Sequence, residues 1–155
     1  MNDRLLRFYS GVGTDGRGRT LDDIWRFSRD DLERVHDYIQ WLFPLAERSA
    51  FNPDAPLVDG ETAARFHDDV QLRANLQRSL DIMLGFYFDD PDREWLTPHN
   101  HNFLRLTRIL KSLTLLGLRH RARELFARLE EIYHERPAIV GATTLSYWRH
   151  AVEDV

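Results

Sequence analysis

The chain has 155 residues, a formal net charge of −4 and no cysteine. That length suits one domain able to bury a core without cross-links, and the missing thiol excludes disulfides, thiolate metal sites and a cysteine nucleophile. The opening MNDRLLRFYSG has no signal-like apolar run and no window reaches the ~20 apolar residues of a membrane span, so the chain reads as soluble and cytoplasmic.

Helical spacing dominates in chain order. Leu5, Leu6, Phe8 and Tyr9 predict a short helix, ended by the glycine-rich GVGTDGRGR. Thr20 is placed to cap a turn through Phe27, and Ser28 to cap a helix that should run to about Phe43, where Pro44 stops it. Residues 47–58 read as an ordered loop with Phe51 and Leu57 as its buried anchors. A short helix follows from Asp59. From about Asp69, Leu72, Leu76, Leu80, Met83, Leu84 and Tyr87 keep one face apolar for some four turns. Residues 89–100 form a polar loop anchored by Trp95. The next helix, about 100–116, carries a Phe103, Leu106, Leu110 and Leu113 stripe and ends at Gly117. Another runs from Leu118 to before Pro137, and a last one spans about 143–153. The expected architecture is an all-α, compact single-domain bundle of about six or seven helices over 1–155.

Two helices concentrate polar chemistry among apolar neighbours. On the 28–43 helix, Leu32, Val35, Ile39, Leu42 and Phe43 share a face with His36 at its edge, Glu33 and Gln40 beside it, and Trp41 and Asp37 opposite. A helix apolar or aromatic nearly all round is expected to be surrounded, so its polar groups need partners or a cavity. On the 100–116 helix, His101, Arg105, Arg108 and Ser112 recur at i, i+4, i+7 and i+11, opposite the apolar stripe. The plain reading is a solvated face. The functional one is that the two guanidiniums, with His101 and Asn102, recognise a carboxylate or phosphate, for which arginine suits bidentate pairing. Between Arg105 and Arg128 there are seven cations and one anion, which could favour an anionic ligand. Without a nucleic-acid motif in an otherwise acidic chain, nucleic-acid binding is not the favoured reading.

A metal site is the alternative. Glu33 and His36 form a Glu-x-x-His pair of the kind used in helical di-iron proteins, His101 could add a third ligand, and Glu131 and His134 form a second such pair. In that case iron or another divalent metal would serve an enzyme; otherwise no cofactor is implied and the reading favours a non-enzyme. A further alternative is a structural domain in which these groups only tie helices together.

The segments LERVHDYIQWLFPL (32–45), NPDAPL (52–57), MLGFY (83–87) and HNFLRLTRILKSL (101–113) resemble the conserved region of the opioid growth factor receptor family in its shorter bacterial-type form. GRTLDDI (18–24) fits less specifically. The resemblance implies a domain named for binding a small opioid peptide, with no catalytic mechanism attached. It marks Glu33, His36, Asp37, Tyr38, Gln40, Trp41 and Pro44 in the first segment, and His101, Asn102, Arg105, Thr107, Arg108 and Lys111, the only lysine, in the last. The expected function is therefore a ligand-binding or interaction module for a small anionic molecule or peptide. Its candidate ligand-binding residues are His36, Tyr38, Gln40, Trp41, His101, Asn102, Arg105, Arg108 and Lys111.

Overall fold

The computed structural model describes residues 1–153; the last two residues of the expected domain lie outside the described residues. Within them the chain forms ten helices, six of seven residues or more, and no strand beyond one isolated parallel bridge between Leu45 and Leu57. One buried apolar cluster runs from Leu5 to Val152. The all-α bundle is as the hydrophobic spacing requires.

Local signals explain where most elements begin. Asn2 caps α1 (Asp3–Tyr9) by accepting from the Leu5 amide. Thr20 and Asp23 form a capping box on α2 (Leu21–Trp25), and Ser28 and Asp31 form another on α3 (Arg29–Arg34), each pair satisfying two otherwise orphaned backbone donors. Asp59 caps α5 (Gly60–Asp68), and Asp69 ends that helix while capping α6 (Val70–Phe88) through the amides of Gln71 and Leu72. Gly117, at φ +98°, supplies the left-handed residue that stops α7 (Asn102–Leu115), with the Leu118 amide returning to the Leu113 carbonyl at 2.8 Å. Then follow α8 (Arg119–Glu135), α9 (Pro137–Val140) and α10 (Ala142–Glu153).

Helix α7 is the centre of the bundle, packed most extensively against α10 and α8. Trp148 of α10 is wholly buried, edge-on to Phe103, and its Nε1 donates to the Phe103 carbonyl at 3.1 Å. At the other end α1 leans on α6. The Tyr9 hydroxyl donates to the Leu42 carbonyl (2.5 Å) and meets Ser79 Oγ (2.9 Å), which also accepts from Trp25 Nε1 at 2.9 Å. Burial drives the Tyr9 phenol far above its ordinary pKa, so it stays a neutral donor. Trp95 is buried as expected, its Nε1 donating to the Tyr87 carbonyl at 2.8 Å.

Two expectations fail. The helix predicted from Ser28 to Phe43 is broken: α3 ends at Arg34, Val35 is extended (φ −80°, ψ 129°), and only a single turn, α4 (Ile39–Leu42), resumes. The loop anchors are also different. Phe51 is 81% exposed and Leu57 38%, whereas Leu45, Pro56 and Val58 are buried, with the Val58 amide donating to the Leu45 carbonyl at 2.9 Å. Apolar residues in a loop can serve its rim as well as its base, and composition does not distinguish the two.

Candidate functional site

The break at Val35 has its cause on α7. Arg105, 6% exposed, sends Nη1 to the Leu32 carbonyl (2.7 Å) and Nη2 to the Val35 carbonyl (2.9 Å), with the Glu33 carbonyl at 3.4 Å. These are acceptors that a continued helix would use for its own i+4 amides. The guanidinium takes them instead and closes the C-terminal end of α3, where a cation also suits the helix dipole. One turn on, Arg108 Nε donates to the Phe43 carbonyl (2.8 Å), and Ser112 Oγ donates to that of Pro44 (2.8 Å). The α7 polar strip is thus not a solvated face: it is a ladder of donors that holds the 32–44 backbone.

The acid and imidazole groups gather at the top of this ladder. Glu33 Oε1 accepts from His101 Nε2 at 2.9 Å, and Oε2 from Asn102 Nδ2 at 3.0 Å; Asn102 Oδ1 in turn accepts from the Tyr87 hydroxyl at 3.0 Å. The His36 and His101 rings meet edge to face at 5.7 Å, and His36 Nδ1 lies 3.2 Å from Arg105 Nη2, within reach of its N–H. Burial lowers the His101 pKa, and Arg105 and His36 lower it further against the opposing pull of Glu33. Asp37 points elsewhere, to Arg17 (2.8 Å) and Arg19 (2.9 Å). Burial alone would raise its carboxyl, but these guanidiniums hold it below the usual range.

Because His101 binds its proton less readily when folded than at its ordinary value of 6.5, the unfolded chain takes up the proton first on acidification. Stability therefore rises with pH through the window between the depressed folded value and 6.5, and is lost as pH falls through it. Urea melts of wild type and His101→Gln at pH 7 and pH 5 check this. The variant should show the smaller loss; an equal loss would place the pH dependence in other groups.

Between α7 and residues 36–51 lies a cleft of about 550 Å³. Six of the nine candidate ligand-binding residues line it: His36, Gln40, His101, Arg105, Arg108 and Lys111. The other three do not. Tyr38 is fully buried behind Arg105, its hydroxyl donating to the Leu32 carbonyl at 2.6 Å; Trp41 is 4% exposed and packs edge-on to Phe8 at 5.2 Å; Asn102 is fully buried beneath Glu33. Trp41 and His36 thus face different surroundings, as their helical projection implies.

The cleft's apolar lining, Ile39, Leu45, Phe51 and Leu104, was not assigned to a binding site from sequence, nor was Glu47. Leu104 had a signal: it lies i+4 from Arg108 and i+7 from Lys111, an apolar residue among cations. Phe51 and Leu104 stand exposed at the rim, and Lys111 Nζ pairs with Glu47 Oε1 at 2.9 Å. Arg108 Nη2 is shielded from solvent and is the buried side-chain nitrogen or oxygen, among the described residues, that lacks a hydrogen bond. Burial draws the Arg108 pKa down to about 10, partly offset by Glu47, which leaves the side chain charged at neutral pH.

The alternative metal ligands Glu33, His36 and His101 do converge, but on one another and on Arg105. Among the described residues no group of three histidine, aspartate or glutamate side chains is disposed to hold a metal ion. Glu131 and His134 lie exposed on α8, away from the cleft lining. No helix of the described residues is long and apolar enough to cross a membrane.

Comparison with known proteins bears on the chain as a whole. The profile described as the opioid growth factor receptor (OGFr) conserved region matches residues 4–89 and 91–155. The rat opioid growth factor receptor is 39% identical over 95% of this chain, and the mouse one 38% identical over 95%. An opioid growth factor receptor-like protein 1 of Xenopus tropicalis is 30% identical over 72%. The matched region covers 29%, 26% and 25% of those proteins, so the chain spans less than a third of their length. No solved structure matches. The helices that carry the cleft and its α7 donor ladder fall inside the matched region, and the chain belongs to the opioid growth factor receptor conserved-region family.

Proposed function

We propose that the chain is a ligand-binding module whose cleft between α7 and residues 36–51 takes a small anionic molecule or peptide. The observation that carries this reading is the coincidence, in one cleft of about 550 Å³, of an apolar rim and a cationic floor in which Arg108 Nη2 lacks a hydrogen bond. A buried unsatisfied donor costs about 1–3 kcal/mol, and a ligand oxygen that supplied the acceptor would recover it. Apolar walls with a few convergent polar groups are the usual composition of a small-ligand pocket. The relatives' name, receptor, is in keeping with a binding role.

The division of labour follows from exposure. Arg105 is committed to backbone carbonyls and shapes the wall, while Lys111 and Arg108 are the α7 cations with capacity for a ligand, faced by the exposed Arg48. Isothermal calorimetry and thermal shift against anionic metabolites and short peptides test the reading. A ligand at a hundred times its Kd should stabilise the protein by about 2.7 kcal/mol, and Lys111→Gln and Arg108→Gln variants that retain helicity should bind more weakly. Should no compound shift the wild type, or should wild type and both variants respond equally, the cleft is not the binding site.

A further inference from the structure

We propose that Glu47 is a built-in competitor of the cleft: it holds the place of the ligand's anionic group, and that group is a carboxylate borne on an apolar body. The inference rests on the ligand-binding reading above.

The argument starts from which cations already have partners. Lys111 is matched by Glu47 at 2.9 Å, and both side chains line the cleft. Arg108, one helical turn before Lys111, spends Nε on the Phe43 carbonyl and leaves Nη2 without an acceptor. The charge of Glu47 is also felt at Arg108. A single internal carboxylate therefore serves as counter-ion to the cationic floor, and it satisfies that floor incompletely.

The pairing is easily exchanged. Glu47 is 64% exposed and Lys111 35%, and an ion pair so open to water contributes little. Glu47 sits on an exposed run, residues 46–48, whose flank is fixed by Leu45, while Ser49 Oγ accepts from the amides of Phe51 and Asn52. The run can release its carboxylate without unseating the buried residues on either side.

The occupant also indicates the ligand class. A planar two-oxygen group fits one ammonium and one free guanidinium nitrogen. A phosphate dianion asks for more donors than Lys111 and Arg108 Nη2 provide, and with Arg105 consumed by the Leu32 and Val35 carbonyls it would have to draw them from the exposed Arg48 on the facing wall. Ile39, Leu104 and Phe51 beside these cations match an aliphatic or aromatic body behind the carboxylate.

Calorimetry with N-acetyl-phenylalanine, its neutral amide and inorganic phosphate, on wild type, Glu47→Gln and Lys111→Gln, tests the proposal. The expected result is that Glu47→Gln binds the acid about fivefold tighter than wild type, that Lys111→Gln binds it more weakly, and that the amide binds none of the three. Equal affinity of wild type and Glu47→Gln for the acid overturns the competitor while leaving the cleft reading intact. Preference for the amide or for phosphate overturns the carboxylate class alone. No binding of the acid to any of the three proteins overturns the inference, and the cleft reading falls with it only if the wider ligand panel is also silent.

Discussion

Arg105→Ala is expected to cost about 3–4 kcal/mol of folding stability, although the residue belongs to a polar strip that sequence spacing alone would assign to solvent. The substitution leaves the Val35 carbonyl without its side-chain donor and the Leu32 carbonyl with the Tyr38 hydroxyl alone, opens a void against the fully buried Tyr38, and removes the cation that ends α3. The orphaned Val35 acceptor contributes about 1–3 kcal/mol, and the lost second bond to Leu32 and the lost packing of a long buried side chain add to it. Arg105→Lys should recover part of the loss, because an ammonium restores the charge but cannot span carbonyls two and three residues apart with one planar fork. Urea denaturation followed by circular dichroism reads both. A loss below about 1 kcal/mol for Arg105→Ala would mean that α3 ends for local reasons.

Trp41→Ala should be comparably damaging, at about 3–5 kcal/mol, yet without a direct effect on the cleft. The indole is 4% exposed, lies edge-on to Phe8, and carries the Arg4 guanidinium 5.5 Å from its ring centroid. Truncation removes a large buried surface on the side of α4 away from His36. The informative comparison is with Trp41→Phe, which keeps an aromatic contact and should cost less. At a temperature where both variants are folded, their affinity for a cleft ligand should equal that of wild type. Weakened binding by folded Trp41→Phe would return Trp41 to the binding residues.

Much of the fold was legible because much of it is local. The Thr20 and Ser28 caps, the Asp69 start, the α6 stripe and the Gly117 stop each depend on residues within a turn or two of one another. The error in 28–43 has the opposite origin. Periodicity there supports a continuous helix, but Arg105 lies 73 residues from Leu32, and no spacing rule contains that contact. Tyr38 and Trp41 entered the candidate list through the family motif, although the projection already set Trp41 opposite His36.

The candidate site was legible to about the depth of its residue types. That His36 and Gln40 belong with His101, Arg105, Arg108 and Lys111 follows from two polar segments in a mostly apolar bundle, and these six do meet in one cleft. What could not be read was the role of each. Arg105 and Arg108 look alike in sequence, but one is spent on the backbone and the other keeps a nitrogen free. Glu47 was invisible because a glutamate in a polar loop has no periodicity to mark it.

The α7 ladder grips its partner by main-chain oxygens: those of Leu32, Val35, Phe43 and Pro44. Such oxygens are present whatever side chain a residue bears. The two walls of the cleft are therefore unequal in their tolerance of change. At 35 or 43 the identity of the residue is constrained by packing alone, so exchanges that preserve volume leave the docking intact, whereas at 105, 108 and 112 the donor itself is the requirement. Cleft chemistry can be altered from the 36–51 side without dismantling the frame, and a redesign of its specificity belongs on that wall.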